Sequence, residues 1–178
     1  KAMDLRRISG LKEQTGWSFA HLANLYASAG EGEKAEECLK LLIRFCVGEN
    51  LFTYHNDYLN QGVTLKFLWA GNAPFQIDAN MGFTAAVQNM LVKSTETELK
   101  IFAAAPRDWK NVRIGYCLTR CGVKVRLTRC KGEVKVEITA LCDTSFTLSS
   151  GLPLKGFQPL EISLKAGESF EKDFTPEQ

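Results

Sequence analysis

The sequence predicts an α+β fold, helical in its first half and built of strands in its second. Apolar residues recur at three- and four-residue intervals up to about residue 94, and after about residue 98 they alternate at every second position. One long aromatic connection interrupts the helical part. The change of period sets the expected domains at 1–97 and 98–178.

In chain order, the first helix is expected from near Trp17 to Ala29, with Leu22, Leu25, Tyr26 and Ala29 on one face and Gly30 ending it. The second repeats Ala35, Cys38, Leu39, Leu42, Ile43 and Cys46. Glu33, Glu36 and Glu37 lie near its start, where negative charge suits the helix dipole, and Gly48 is its expected stop. Residues 49–75 form a connection too long and too aromatic for a mere linker. It carries Phe52, Tyr54, His55, Tyr58, Phe67, Trp69 and Phe75. Aromatic faces beside Asn and His suit sugar rings, and the same rings equally serve to staple a loop to a core. A third helix carries Phe83, Val87, Met90 and Leu91.

The strands are expected at Leu99–Phe102, Val112–Leu118, Val123–Arg129, Val134–Leu141, Phe146–Leu148, Leu160–Leu164 and Ser169–Phe174, with tight turns at Lys131-Gly132 and Ala166-Gly167. Short strands at such spacing predict an antiparallel sandwich or small barrel. Three helices with one apolar face each do not enclose a core by themselves, so the chain reads as the end of a longer protein.

Composition narrows the function classes. A hydrophobic share of 45%, 24% charged residues and a net charge of +2 describe an ordinary globular protein with no electrostatic case for nucleic acid. The Lys and Arg residues after position 106 alternate with apolar ones, as on a solvated sheet face. No run is long and apolar enough to span a bilayer, and residues 1–7 lack the apolar core of a signal peptide, which leaves the compartment open. The six cysteines form no paired CxxC knuckles and the two histidines, His21 and His55, are scattered, so neither a metal nor another cofactor is expected. Cys38 and Cys46 read as reduced core residues, and the pairing of the later four stays open. No Ser-His-Asp or Cys-His order points to a nucleophilic site.

The chemistry concentrates in Pro74-Phe75-Gln76-Ile77-Asp78-Ala79-Asn80-Met81-Gly82, where a carboxylate and two carboxamides stand at a loop-to-helix junction. Asp78, Gln76 and Asn80 suit the binding or transformation of a polar ligand. An Asp just ahead of a helix also serves as a plain cap for orphan backbone N–H groups.

Three stretches in this order resemble the C-terminal part of glycoside hydrolase family 95, the α-L-fucosidase and α-L-galactosidase family. They are Thr15-Gly16-Trp17-Ser18, Asn50-Leu51-Phe52, and Pro74 to Gly82 leading into Thr84-Ala85-Ala86, followed by a segment like Leu99 to Trp109. The resemblance covers roughly residues 14–130, and the nine residues from Pro74 are its most specific part. It implies the last helices of an (α/α)6 barrel followed by a C-terminal β-domain, with the remainder of the barrel as partner and a carbohydrate as substrate. It also implies an inverting mechanism in which an Asn contacts the attacking water and an Asp polarises that Asn. Asp78 matches that Asp. The family's acid Glu and its water-contacting Asn lie upstream of the region that matches, so the chain alone is expected to be catalytically incomplete.

Two departures concern the substrate. Asn72 stands where the family often has a His that helps hold a sugar hydroxyl, and Ala79 stands for the usual Gly. The connection is also longer than usual, so His55 or Trp69 is a candidate replacement for the lost contact. Asp78 is therefore the expected catalytic residue, with Gln76, Asn80, Asn72, His55 and Trp69 as expected pocket residues. The alternatives are a non-catalytic carbohydrate-binding or structural module and an inactive relative of the family.

Overall fold

The computed structural model describes residues 2–8, 10–57, 61 and 73–177. The chain forms two compact units, Lys1–Val87 and Gln88–Gln178. The first holds α1 (Ala2–Ile8), α2 (Gly16–Ser28), α3 (Gly32–Cys46) and most of α4 (Ile77–Leu91). The last turn of α4 belongs to the second unit, with every strand. Among the described residues no helix is long and apolar enough to cross a membrane.

Helix α2 starts where Thr15, in extended conformation, turns its Oγ1 to accept the Ser18 N–H at 3.3 Å, satisfying one orphan donor. It stops at Gly30, whose φ of 81° is open to glycine without strain. Across that residue the Glu31 N–H reaches the Tyr26 carbonyl at 2.9 Å and the Gly30 N–H reaches that of Ala27 at 3.2 Å, closing a Schellman motif. The buried stripe of α2 runs through Phe19, Leu22, Ala23 and Tyr26, and α3 answers with Ala35, Cys38, Leu39, Leu42, Phe45 and Cys46. Each large side chain so buried contributes about 1.5–3 kcal/mol.

Three of the residues expected on the apolar faces, Leu25, Ala29 and Ile43, are exposed. Leu25 is 39% exposed because it shares the outer face with His21 and Ser28, and Ile43 is 53% exposed beside Lys40 and Arg44. Gly48 is not the helix stop either. Helix α3 ends because Val47 turns extended and bridges to Thr53, while Gly48 supplies space, since a Cβ there would lie 2.7 Å from the Tyr54 ring.

The second unit holds two four-stranded sheets, of order β1-β2-β6-β7 and β3-β4-β5-β8. Their strands are β1 (Val92–Ser94), β2 (Glu98–Ile101), β3 (Val112–Leu118), β4 (Val123–Cys130), β5 (Glu133–Ala140), β6 (Thr144–Ser150), β7 (Leu160–Leu164) and β8 (Ser169–Phe174). Every second residue is buried: Val123, Val125 and Leu127 on β4, Val134, Val136 and Ile138 on β5, Leu99 and Ile101 on β2, Phe146 and Leu148 on β6. Lys131 and Gly132, with φ of 53° and 79°, make the two-residue turn between β4 and β5. Ala166-Gly167 instead carries the chain from one sheet to the other.

The sandwich is not wholly antiparallel. Strand β2 pairs with β6 in parallel, from Glu98 opposite Thr147 to Ile101 opposite Ser150. The three strands between them belong to the other sheet, and that long excursion brings the chain back in its original direction. Neither α1 nor β1 was expected, because seven and three residues are too short to display a period. Arg129 also departs from the solvated-face reading. It continues the inward phase of Val123, Val125 and Leu127, and only 9% of it is exposed.

Candidate active site

Three segments of the first unit meet around the Pro74–Gly82 stretch: the start of α2, the strip from Cys46 to Asp57, and the start of α4. Backbone hydrogen bonds join them. The Tyr54 N–H donates to the Cys46 carbonyl at 2.6 Å, the His55 N–H to that of Pro74 at 2.9 Å, the Gln76 N–H to that of Thr53 at 2.8 Å, and the Gly16 N–H to that of His55 at 3.0 Å. Gly16 is required here, because a Cβ would collide with the Tyr54 carbonyl. Phe52 and Phe75 stack over this strip with ring centroids 4.6 Å apart.

Helix α4 begins at Ile77, which puts Asp78 in its first turn rather than at a capping position outside it. Successive helical residues are rotated by about 100°, so Asp78 and Asn80 point to nearly opposite sides. Asn80 turns to the strip. Its Oδ1 accepts from the Thr53 backbone N–H at 2.9 Å and the Thr53 hydroxyl at 2.8 Å, and its Nδ2 donates to the Leu51 carbonyl at 2.9 Å. Gln76 turns to α2, its Oε1 accepting the Trp17 N–H at 3.1 Å. The Thr53 hydroxyl also makes a short hydrogen bond to the Gln76 carbonyl. Both amides are thus engaged by protein groups.

Asp78 is different. Its Oδ1 accepts the N–H of the next residue, Ala79, at 3.0 Å, and its side chain stays exposed on the outer face of α4 with Met81 and Ala85. Ala79 points the other way, fully buried against Phe19, Leu42 and Cys46, so the methyl that stands for the family's usual Gly fills core space and leaves the Asp78 face unaltered.

His55 is held mainly through its backbone, and its Nδ1 makes a short hydrogen bond with the Asn56 side chain. Asn72 and Trp69 lie outside the described residues. Sequence reasoning missed Thr53 and Asn24. The Asn24 Nδ2 donates to the Ala20 carbonyl at 2.9 Å and to the Gly82 carbonyl at 2.8 Å, tying α2 to α4 where Gly82 allows close approach to the Ala20 methyl. Such contacts between residues far apart in sequence leave no local pattern.

None of the six cysteines is in a disulfide; Cys130 and Cys142 are exposed and the other four buried. Burial, with the nearby Asp57 carboxylate second, pushes the Cys46 thiol from 9.0 up to about 12. The folded state then keeps the thiol neutral where the unfolded chain ionises. That stabilising contribution is complete below pH 9.0 and is lost as pH rises to about 12. A thiol-specific disulfide reagent at about pH 8 should label Cys130 and Cys142 in the native protein and Cys46 only after denaturation. Native labelling of Cys46 as fast as that of Cys130 contradicts this burial.

The family model described as the glycosyl hydrolase family 95 catalytic domain matches residues 1–91, ending where α4 ends. Alpha-L-fucosidase 2 of Arabidopsis thaliana is 32% identical over 124 residues, 69% of this chain and 14% of that protein. The chain belongs to glycosyl hydrolase family 95. It spans about a seventh of the length of the curated relative it matches.

Proposed function

We propose that this chain is the C-terminal portion of an inverting glycoside hydrolase that acts on α-L-fucosides or α-L-galactosides, and that Asp78 polarises the catalytic Asn of the complete enzyme. The observation that carries the reading is the division of labour along α4. Gln76 and Asn80 are occupied by the protein, whereas the Asp78 carboxylate on the same turn is left open to the exterior. An amide N–H of the catalytic Asn would donate to Asp78, which turns the amide oxygen toward the water and makes it a better acceptor. The water oxygen then bonds to the anomeric carbon as the glycosidic bond breaks. A separate acid protonates the leaving oxygen from the opposite face.

That acid and the catalytic Asn match no position in this sequence, and they belong to the remainder of the barrel. The apolar surface beside Asp78 on α4 is consistent with such a partner: Met81 is 63% exposed and Ile77 57%. The experiment is monosaccharide release from aryl α-L-fucoside and α-L-galactoside by the complete parent enzyme and by the 178-residue chain. Release by the parent alone is the expected result. Turnover by the isolated chain overturns the assignment of the acid and the Asn to the missing part, and a folded parent inactive on both sugars overturns the substrate assignment.

A further inference from the structure

The second unit contains a cleft of about 610 Å³ with no part in the chemistry above. Three segments wall it: the connector between β2 and β3, the β4–β5 hairpin end, and the ladder of residues 152–155 with 175–177. The connector is fixed by turns, the Trp109 N–H donating to the Pro106 carbonyl at 3.1 Å and the Lys110 N–H to that of Asp108 at 2.8 Å. The ladder is fixed by Lys155 N–H to Thr175 carbonyl at 2.8 Å and Glu177 N–H to Pro153 carbonyl at 2.9 Å. The cleft is therefore built from hydrogen-bonded backbone.

Its lining is cationic. Arg107, Lys110, Arg129 and Lys155 face it, against the carboxylates of Asp108 and Glu177. Among the described residues none of these four cations forms an ion pair, although the same unit pairs Arg126 with Glu137, Lys135 with Glu171 and Lys165 with Asp143. Arg129 is the most telling. It is 9% exposed in the inward phase of β4, and its Nη1 donates to the Trp109 carbonyl at 3.1 Å. A guanidinium carries five donors, and one carbonyl answers only a fraction of them. Arg129 lines the cleft, where an anion can meet the donors left over.

We propose that this cleft binds an acidic saccharide, with its carboxylate or sulfate on Arg129, Arg107 and Lys155. The paired oxygens of a carboxylate or a sulfate match the guanidinium fork. The volume falls in the range of small-ligand sites and exceeds the need of a lone anion. Leu152, Pro153 and Pro176 supply apolar walls for the C–H face of a sugar ring. A long polyanion is disfavoured, because the net charge of +2 and the ion pairs elsewhere on the unit leave no extended basic track. The sugar in this assignment rests on the glycoside hydrolase reading, whereas the anion rests on the cations alone.

The test is calorimetric titration of the 178-residue chain with digalacturonate, with neutral galactobiose and sodium sulfate as comparison probes. The expected result is binding of digalacturonate that weakens as NaCl rises from about 50 to about 200 mM, with no heat from galactobiose. The exposed pair Arg107→Ala and Lys155→Ala should together weaken binding about tenfold or more without lowering the melting temperature. Arg129→Met tests the buried cation in the same way, and the exposed pair keeps the test decisive where that variant fails to fold. Equal affinity in wild type and the Arg107→Ala/Lys155→Ala protein, or no binding of digalacturonate, overturns the site. Sulfate binding as tightly as digalacturonate overturns the saccharide assignment. No turnover is involved, so an Asp78 variant that retains hydrolase activity leaves this result standing, and loss of this site leaves the hydrolase reading standing.

Discussion

Asn80→Ala should destabilise the 178-residue chain by about 2–4 kcal/mol, read as a lower midpoint of urea unfolding with an unchanged slope. Three hydrogen bonds end on this one amide, and two of them satisfy Thr53, which is 2% exposed. Truncation leaves the Thr53 N–H without an acceptor in a place where water has little access, which costs about 1–3 kcal/mol, while the Thr53 hydroxyl keeps the Gln76 carbonyl as its acceptor. The third bond holds the Leu51 carbonyl. Leu51 has a φ of 63°, a left-handed conformation that a branched side chain adopts at some cost, so the amide also braces a strained turn. Asn80→Asp keeps the acceptor for Thr53 and loses the donor to Leu51, and it should fall between wild type and Asn80→Ala. A change below about 0.5 kcal/mol, the range of ordinary surface substitutions, contradicts the clamp.

The helical hairpin was legible because its signals are local. A Gly at position 30 and a period of three to four residues in Ala35 through Cys46 each speak within one or two turns. The faces were less legible. Leu25 and Ile43 are apolar and lie near the right phase, yet the packing between the two helices selected the neighbouring stripe. All seven expected strands appear within a few residues of their expected limits, since alternation with Gly turns is also a local pattern. The parallel pairing of β2 with β6 joins residues about fifty positions apart and has no counterpart in periodicity. The site divides in the same way. The motif around Asp78 could be found by resemblance, but the partners of its amides could not. Asn80 reaches back 27 positions to Thr53, and Gln76 reaches 59 positions to Trp17. Only folded geometry separates the carboxylate that remains open from the carboxamides that hold the strip. Arg129 teaches the opposite lesson, because its phase with Val123, Val125 and Leu127 was present in the sequence and its charge concealed the inward position.

Asp78→Asn in the complete enzyme should lower kcat by about a hundredfold or more while leaving KM within about threefold, the pattern of an interaction made chiefly in the transition state. An amide at this position keeps the shape of the side chain. In the proposed role it removes the charge that would orient the catalytic Asn, so the attacking water would lose its oriented acceptor while sugar contacts persist. The fold should be untouched, because the exposed carboxylate accepts a hydrogen bond from Ala79 that an amide oxygen also accepts. Melting temperature therefore separates this variant from Asn80→Ala. The deciding measurement is single-turnover release of the sugar from an aryl α-L-fucoside or α-L-galactoside by wild-type and Asp78→Asn enzyme at equal folded concentration. A hundredfold slower release with undiminished substrate binding is the result this account predicts, and equal rates would contradict it.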